Sequence, residues 1–394
     1  MSENKASVAE GPAILQIVPT LNSGGAERST IEIVAALARE GFRPLVASEG
    51  GRMVPELEAS GGEWIRMPVN AKSPLALLAN AQRLRDLIRG RNVQLIHARS
   101  RAPAWSALWA AQGMGTPFVT TFHGAYAADF PLKRLYNSVM LRSDAVIANS
   151  QWTADHIRSE YSLKPKRLIV IPRGVDVDGF DPARIPRARI QHLRETWGAS
   201  ATECCIVLLA GRMTRWKGQL ILIEAAAILA RNRGPSGFRV VFAGHAQGRD
   251  DYATEVERAI ERHGLNRHVT IAGHIEDMAA AYLASDIVVS ASTKPEAFGR
   301  VAAEAAAMAR PVLATDHGGA RETVLPGISG VLVPSGDPAA LAAALENMLE
   351  AGPTMRAAMG AAGRAHVQRH FTLERMTGQT LSLYRELLGP IAAK

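Results

Sequence analysis

Cysteine is almost absent from this chain. Only Cys204 and Cys205 occur among 394 residues, side by side in an apolar run. Adjacent cysteines rarely bridge, so a disulfide framework is excluded and nothing calls for an oxidising compartment. Long apolar runs are missing as well, and none approaches the roughly 20 residues of a membrane span. The segment Met1 to Gly11 is polar, with Glu3, Lys5 and Glu10, and lacks the apolar stretch of a signal peptide. The expected location is cytoplasmic, with the inner face of the cytoplasmic membrane as an alternative. There is no Cys/His set with metal-ligand spacing, so no metal is expected.

What is present is length, apolar content and positive charge. The 394 residues, 47% of them hydrophobic, suffice for two domains with a core each. Lys and Arg number 45 against 37 Asp and Glu, a formal net charge of +8. That excess reads as spread along the chain rather than gathered in one block. It fits anionic substrates, an anionic membrane surface or nucleic acid. No DNA- or RNA-binding signature accompanies it, so nucleic acid is not expected as a partner.

Short apolar runs alternate with amphipathic stretches throughout. In the first half the runs are Ile14–Val18, Pro44–Ala47, Trp64–Met67, Leu95–Ala98, Phe118–Phe122, Ala145–Ala148 and Leu168–Ile171. The stretch from Asp176 to Ile190, with Gly179, Pro182 and Pro186, reads as a link between domains. The alternation resumes with Cys205–Ala210, Val240–Ala243, Val269–Ala272, Ile287–Ser290, Val312–Ala314 and Val331–Val333. Helical patterns then close the chain at Pro338–Leu349, Met355–Arg369 and Leu373–Leu388. Repeated βα units predict an α/β fold: two doubly wound parallel sheets with a cleft between them.

Four junctions carry the chemistry. The first, Val18 to Arg28, runs from a strand through Gly24-Gly25 into a helix. Its glycines permit close backbone approach to a ligand or merely a tight turn, and it is not the spaced G-x-G-x-x-G fingerprint. The second is Thr120-Thr121-Phe122-His123-Gly124 at a strand end, where ligands of such sheets gather. His97 ends the preceding strand, and Arg99 and Arg101 suit either an anionic acceptor or a solvated surface. The third, Gly211-Arg212-Met213-Thr214-Arg215-Trp216-Lys217-Gly218, places cations on a glycine-bounded loop, as a diphosphate clamp requires. The fourth is Ser292 to Arg300, with Glu296, Phe298 and Gly299, followed by Glu304 and then Gly318-Gly319. It joins a strand to an alanine-rich helix, so the free amides of the first turn suit a phosphate and the carboxylates suit sugar hydroxyls.

These segments together resemble retaining glycosyltransferases of family 4, which have the GT-B architecture of two Rossmann-like domains. The resemblance runs from about Ile14 to Leu388 and is densest from Gly211 to Gly330. It implies an acceptor-side domain over 1–185, rejoined by the C-terminal helix at 373–394, and a nucleotide-sugar domain over 198–372. It implies catalytic roles for His123, Glu296, Arg212 and Lys217: the first two position the sugar and the others clamp the diphosphate. It places Gly24 and Gly25 near diphosphate and acceptor. Phe298, Gly299, Arg300 and Val301 would offer backbone to sugar and phosphate, and Glu304 would bind the ribose. The implied donor is GDP-mannose or a UDP-hexose, the co-substrate in place of any cofactor. The implied acceptor is a glycan or glycolipid, since the chain is similar to enzymes of lipopolysaccharide core assembly, including mannosyltransferases. Basic and aromatic residues of the first half, including Arg83, Arg85, Arg89, Trp105, Trp109, Lys133 and Arg134, suit a peripheral membrane contact or a solvated face. Two departures stand out: Ala309 takes the place of a helix-ending glycine, and His245 that of an acidic residue.

Rival readings are a glycosidase, a nucleotide-sugar epimerase on the same architecture, and a non-catalytic sugar-binding protein. A glycosidase needs two carboxyl groups roughly 5–9.5 Å apart. Glu296 and Glu304 are about 12 Å apart in rise if the segment is helical throughout. The cationic loop and the Glu pair argue against the epimerase.

Overall fold

Cys205–Ala210 is apolar at every position and buried at every position, as a strand covered on both faces must be. The other interior strands are likewise mostly buried, while the edge strands are only half-buried along much of their length. In the computed structural model all thirteen runs become strands, every pair parallel. The structure describes residues 11–22, 24–126, 130–199, 204–233, 237–245, 248 and 250–390. The chain divides into two units: residues 1–173 with 374–394, and residues 174–373.

The first unit holds β1 (Ala13–Ile17), β2 (Arg43–Ser48), β3 (Glu63–Arg66), β4 (Val93–Ala98), β5 (Phe118–Phe122), β6 (Ala145–Ala148) and β7 (Leu168–Val170). Their order across the sheet is β3-β2-β1-β4-β5-β6-β7. The order reverses between β1 and β4, where a crevice opens at the strands' carboxyl ends. The C-terminal helix Leu373–Leu388 belongs to this unit from Glu374 onward. Its Tyr384 is buried and meets His97 Nδ1 at 2.5 Å.

The second unit holds β8 (Cys205–Ala210), β9 (Phe238–Ala243), β10 (Val269–Gly273), β11 (Ile287–Ser290), β12 (Val312–Thr315) and β13 (Gly330–Val333), in the order β10-β9-β8-β11-β12-β13. Successive residues of a strand face opposite sides. Val207 and Leu209 therefore join the core beneath the helices Gln219–Arg233 and Pro338–Glu350, while Ile206, Leu208 and Ala210 join the core beneath Arg300–Ala307. The reversal lies between β8 and β11, the two strands that lead into the third and fourth junctions.

The stretch expected as a link, Asp176 to Ile190, is part of the second unit. A helix missed in the sequence, Arg187–Thr196, begins inside it. Its apolar stripe is thin, with Ile190 and Leu193 half-buried and Trp197 buried just beyond the end. Arg194 secures it by donating to the carbonyls of Ala284 and Cys204, each at 2.9 Å.

Candidate active site

In the second unit the third and fourth junctions meet. Lys217 Nζ donates to Glu296 Oε1 at 2.8 Å, and both side chains are mostly buried. Ser290 Oγ, 3.4 Å away, and Ser292 Oγ also donate to that oxygen. Oε1 is thus saturated, and among the described residues Oε2 accepts no hydrogen bond. Burial by itself would push the Glu296 carboxyl up. The Lys217 ammonium and the hydrogen bonds from Lys217, Ser292 and Ser290 outweigh it and hold the group below its ordinary value. Glu296 is therefore a carboxylate with one fixed oxygen and one open to a ligand.

Backbone crossings fix this turn. Gly218 has φ +79°, and a Cβ there would stand 1.9 Å from the Ala291 carbonyl oxygen. Gly319 donates its amide to the Glu296 carbonyl at 2.8 Å, and a Cβ on it would lie 2.4 Å from Phe298 Cα. The Ser292 carbonyl accepts from Thr315 Oγ1 at 2.9 Å, His317 Nε2 at 2.8 Å and Ser335 Oγ at 3.3 Å. Sequence reasoning missed these three supports; no local pattern marks them.

Gly299, at φ +78°, caps the helix Arg300–Ala307, whose first turn includes Val301. Phe298 itself is core, buried and edge-on to Phe371, so only its backbone is available to a ligand. Glu304 is buried, with Oε1 bound by Arg300 Nε at 2.6 Å and Oε2 by the Tyr282 hydroxyl at 2.9 Å. Burial first, and the Glu304 carboxylate second, push the Tyr282 phenol well above its ordinary value, so it remains a donor. Arg212 is exposed and has no side-chain partner among the described residues. Arg215 is engaged elsewhere, donating to Glu255 at 2.7 Å.

In the first unit a second cluster forms at the carboxyl ends of the strands. Gly24 precedes the helix Gly25–Arg39, and a Cβ on Gly25 would lie 3.1 Å from an Arg173 guanidinium nitrogen. Arg173, which follows β7, was not foreseen. It donates to His123 Nδ1 at 3.1 Å. Burial, then the charges of Arg173, Arg99 and His97, push His123 well below its ordinary pKa. A neutral ring whose Nδ1 accepts carries its proton on Nε2. That nitrogen is buried and has no partner among the described residues. Arg99 is not solvated: it is buried, bonded to Gln16 and, at 3.1 Å, to Ser29 Oγ. His97 is structural, bridging Tyr384 and Thr121 Oγ1, the latter at 2.7 Å. Arg101 lies over the Tyr126 ring, 4.3 Å from its centroid, and donates to Asn137 Oδ1 at 2.9 Å.

The model for "Glycosyltransferase Family 4" matches residues 23–178, and that for "Glycosyl transferases group 1" matches residues 198–366. A D-inositol 3-phosphate glycosyltransferase of Arthrobacter sp. (strain FB24) is 30% identical over 323 residues, 78% of this chain and 74% of the relative. The chain belongs to glycosyltransferase family 4. The protein of the same description from Segniliparus rotundus is 34% identical over 289 residues, 70% of this chain but 62% of the relative's own length. Among solved structures, a glycosyltransferase from Rickettsia africae ESF-5 is 35% identical with a TM-score of 0.89, covering 96% of this chain and 99% of that one. Anabaena Alr3699/HepE, solved with UDP-glucose, is 26% identical with a TM-score of 0.81, covering 94% and 99%. The two sheets and these neighbours make the fold of this family-4 chain GT-B.

Proposed function

We propose that this chain transfers a hexose from a nucleotide diphosphate to a hydroxyl acceptor with retention of anomeric configuration. The observation that carries the reading is the half-engaged Glu296 carboxylate, fixed by Lys217 beside the first turn of the helix Arg300–Ala307. Breaking the sugar–oxygen bond leaves negative charge on the departing diphosphate. Lys217, the open guanidinium of Arg212 and the amides of Arg300 and Val301 are donors suited to that charge, so no metal is assigned to the role. Glu296 Oε2 would accept from sugar hydroxyls, and the Nε2 proton of His123 is a donor of matching kind in the first unit. The acceptor oxygen forms the new bond on the face the diphosphate leaves, and its proton passes to the departing phosphate oxygen. No protein base is needed.

A UDP-hexose is the favoured donor, because the solved relative at 26% identity carries UDP-glucose; GDP-mannose is the alternative. For the acceptor, a glycan or glycolipid of the cell envelope, as in lipopolysaccharide core assembly, follows the sequence resemblance. A phosphorylated cyclitol is the second reading, favoured by the relatives described as D-inositol 3-phosphate glycosyltransferases and by the buried Arg99 and Arg173 near His123.

Calorimetry with UDP, GDP, ADP and their sugars tests the donor, on wild type, Arg212→Ala and Glu304→Ala. Tight binding of one nucleotide, lost in both variants, is expected, followed by nucleotide release that depends on an added acceptor. Absence of binding to every nucleotide by the folded wild type would leave a sugar-binding protein as the better reading. Conversion of the nucleotide sugar without an acceptor would favour the epimerase.

A further inference from the structure

Two helices of the second unit end on one groove. The helix Gln219–Arg233 brings Arg231 to it and the helix Asp250–Arg262 brings Arg262, and the space between them is about 440 Å³. That is within the range of small-molecule sites, roughly 300–1,000 Å³. Ala227, Ala230 and Leu265 make the groove partly apolar, while His263 and His268 join the two arginines as its nitrogen groups. Among the described residues no Asp or Glu lines it. The local sequence builds the floor. Gly264, at φ +66°, turns the chain at the end of the second helix, and the Leu265 amide reaches back to the Ile260 carbonyl at 2.9 Å. Leu265 thereby enters the core and His268 follows at the start of β10.

Cations in the last turn of a helix often do no more than complement its dipole. Two observations go beyond that here. Arg231 and Arg262 have no side-chain partner among the described residues, although Arg233 pairs with Glu350 at 3.8 Å. His268 is only 6% exposed and stacks on the Phe238 ring, with Nδ1 3.4 Å from the Phe238 carbonyl oxygen. Its Nε2 has no partner among the described residues. A buried polar atom of this kind ordinarily has a partner.

We infer that the groove binds a hydroxylated phosphate ester, such as a sugar phosphate. Two guanidinium forks without carboxylate partners suit the phosphate oxygens. When Nδ1–H donates to the Phe238 carbonyl, Nε2 of the neutral imidazole is an acceptor. It suits a hydroxyl on the body of the ligand. The groove lies at the amino ends of β9 and β10, whereas the cationic loop and the Glu296 turn follow the carboxyl ends of β8 and β11. The helix Gln219–Arg233 starts directly after Gly218, and its 15 residues span about 22 Å. A ligand at its far end is therefore an effector rather than a reactant, and its binding does not depend on the transferase reading.

Phenylglyoxal labelling of the full chain, read by mass spectrometry, locates the site. Glucose 1-phosphate should protect Arg231 and Arg262, while Arg258, exposed one turn earlier on the same helix, stays reactive. Glucose, and sulfate at matched ionic strength, should protect none of the three. Calorimetry on Arg212→Ala, whose donor clamp is disabled, should still show glucose 1-phosphate binding. Adding Arg231→Gln/Arg262→Gln should weaken that binding about tenfold or more, as the loss of a charge-assisted hydrogen bond does. Similar ligand-free urea midpoints for these chains would separate a lost site from a lost fold. Wild-type arginines left unprotected by glucose 1-phosphate overturn the site, as does equal protection by sulfate, which would be charge screening alone. Binding indifferent to the double substitution also overturns it, since the ester would then sit elsewhere.

Discussion

Glu296 is held by one oxygen only, and the chemistry of the second unit follows from that asymmetry. Lys217 keeps Glu296 ionised, and in the proposed reaction it also contributes charge to the departing diphosphate. In Lys217→Met the carboxyl loses its cation while its burial persists, so its pKa moves above the ordinary value and the group becomes neutral at higher pH. Breaking such a pair by removing one partner costs about 3–5 kcal/mol when the remaining charge stays buried. Losing a donor to the transition-state charge costs about 10²–10³ in kcat. Lys217→Met should therefore lower both kcat and the urea midpoint. Adding Glu296→Gln should restore much of the midpoint and none of the rate. Denaturation and steady-state kinetics on the two variants check this, and recovery of the rate in the double variant would contradict it.

The helix Arg300–Ala307 ends in a turn that its sequence does not favour. Ala309 has φ +53°, its amide donates to the Ala306 carbonyl at 2.9 Å, and the amide of Arg310 donates to that of Ala305 at 2.9 Å. This is a Schellman closure with alanine where glycine is usual. Ala309→Gly relieves the left-handed strain but loosens the unfolded chain, so a net stabilisation of about 1 kcal/mol is expected. Urea unfolding measures it, and a lowered midpoint would refute the strain argument. The helix Gly352–His370 packs so close that a Cβ on Gly360 would lie 2.0 Å from the Ala309 carbonyl oxygen, which keeps the turn in place. This strain was legible in the sequence, because a left-handed helix end disfavours any residue with a Cβ. The strands were legible for a related reason: a parallel strand buried on both faces is an unbroken apolar block. The helix Arg187–Thr196 was hidden because two half-buried apolar residues among charges read as a link. Contacts such as Lys217 with Glu296, 79 residues apart, were foreseen only as membership of one site. Arg173 and the three donors to the Ser292 carbonyl were not foreseen, because they are set by which loops the sheet order brings together.

For the whole molecule, the balance of ionisable groups makes the first unit acid-sensitive well before its carboxylates titrate. His97 and His123 are both held well below their ordinary pKa, first by burial and then by neighbouring cations: Arg99 for His97; Arg173 and Arg99 for His123. Burial also lowers His156. The folded chain keeps these rings neutral where the unfolded chain begins to protonate them, near pH 6.5. The unfolded state then binds more protons, so stability rises with pH through this window and is lost as pH falls below it. Each fully depressed histidine contributes a slope of up to about 1.4 kcal/mol per pH unit. Urea unfolding between pH 7 and 5 should show the loss. Amide exchange in β4 and β5 should place it in the first unit, while strands of the second unit stay protected. His97→Gln removes one titrating ring from both states and should flatten the slope by one histidine's share, even though it lowers stability at pH 7 by unpairing Tyr384. A stability independent of pH across that range, or a slope unchanged by the substitution, would show that these imidazoles accept protons in the folded chain.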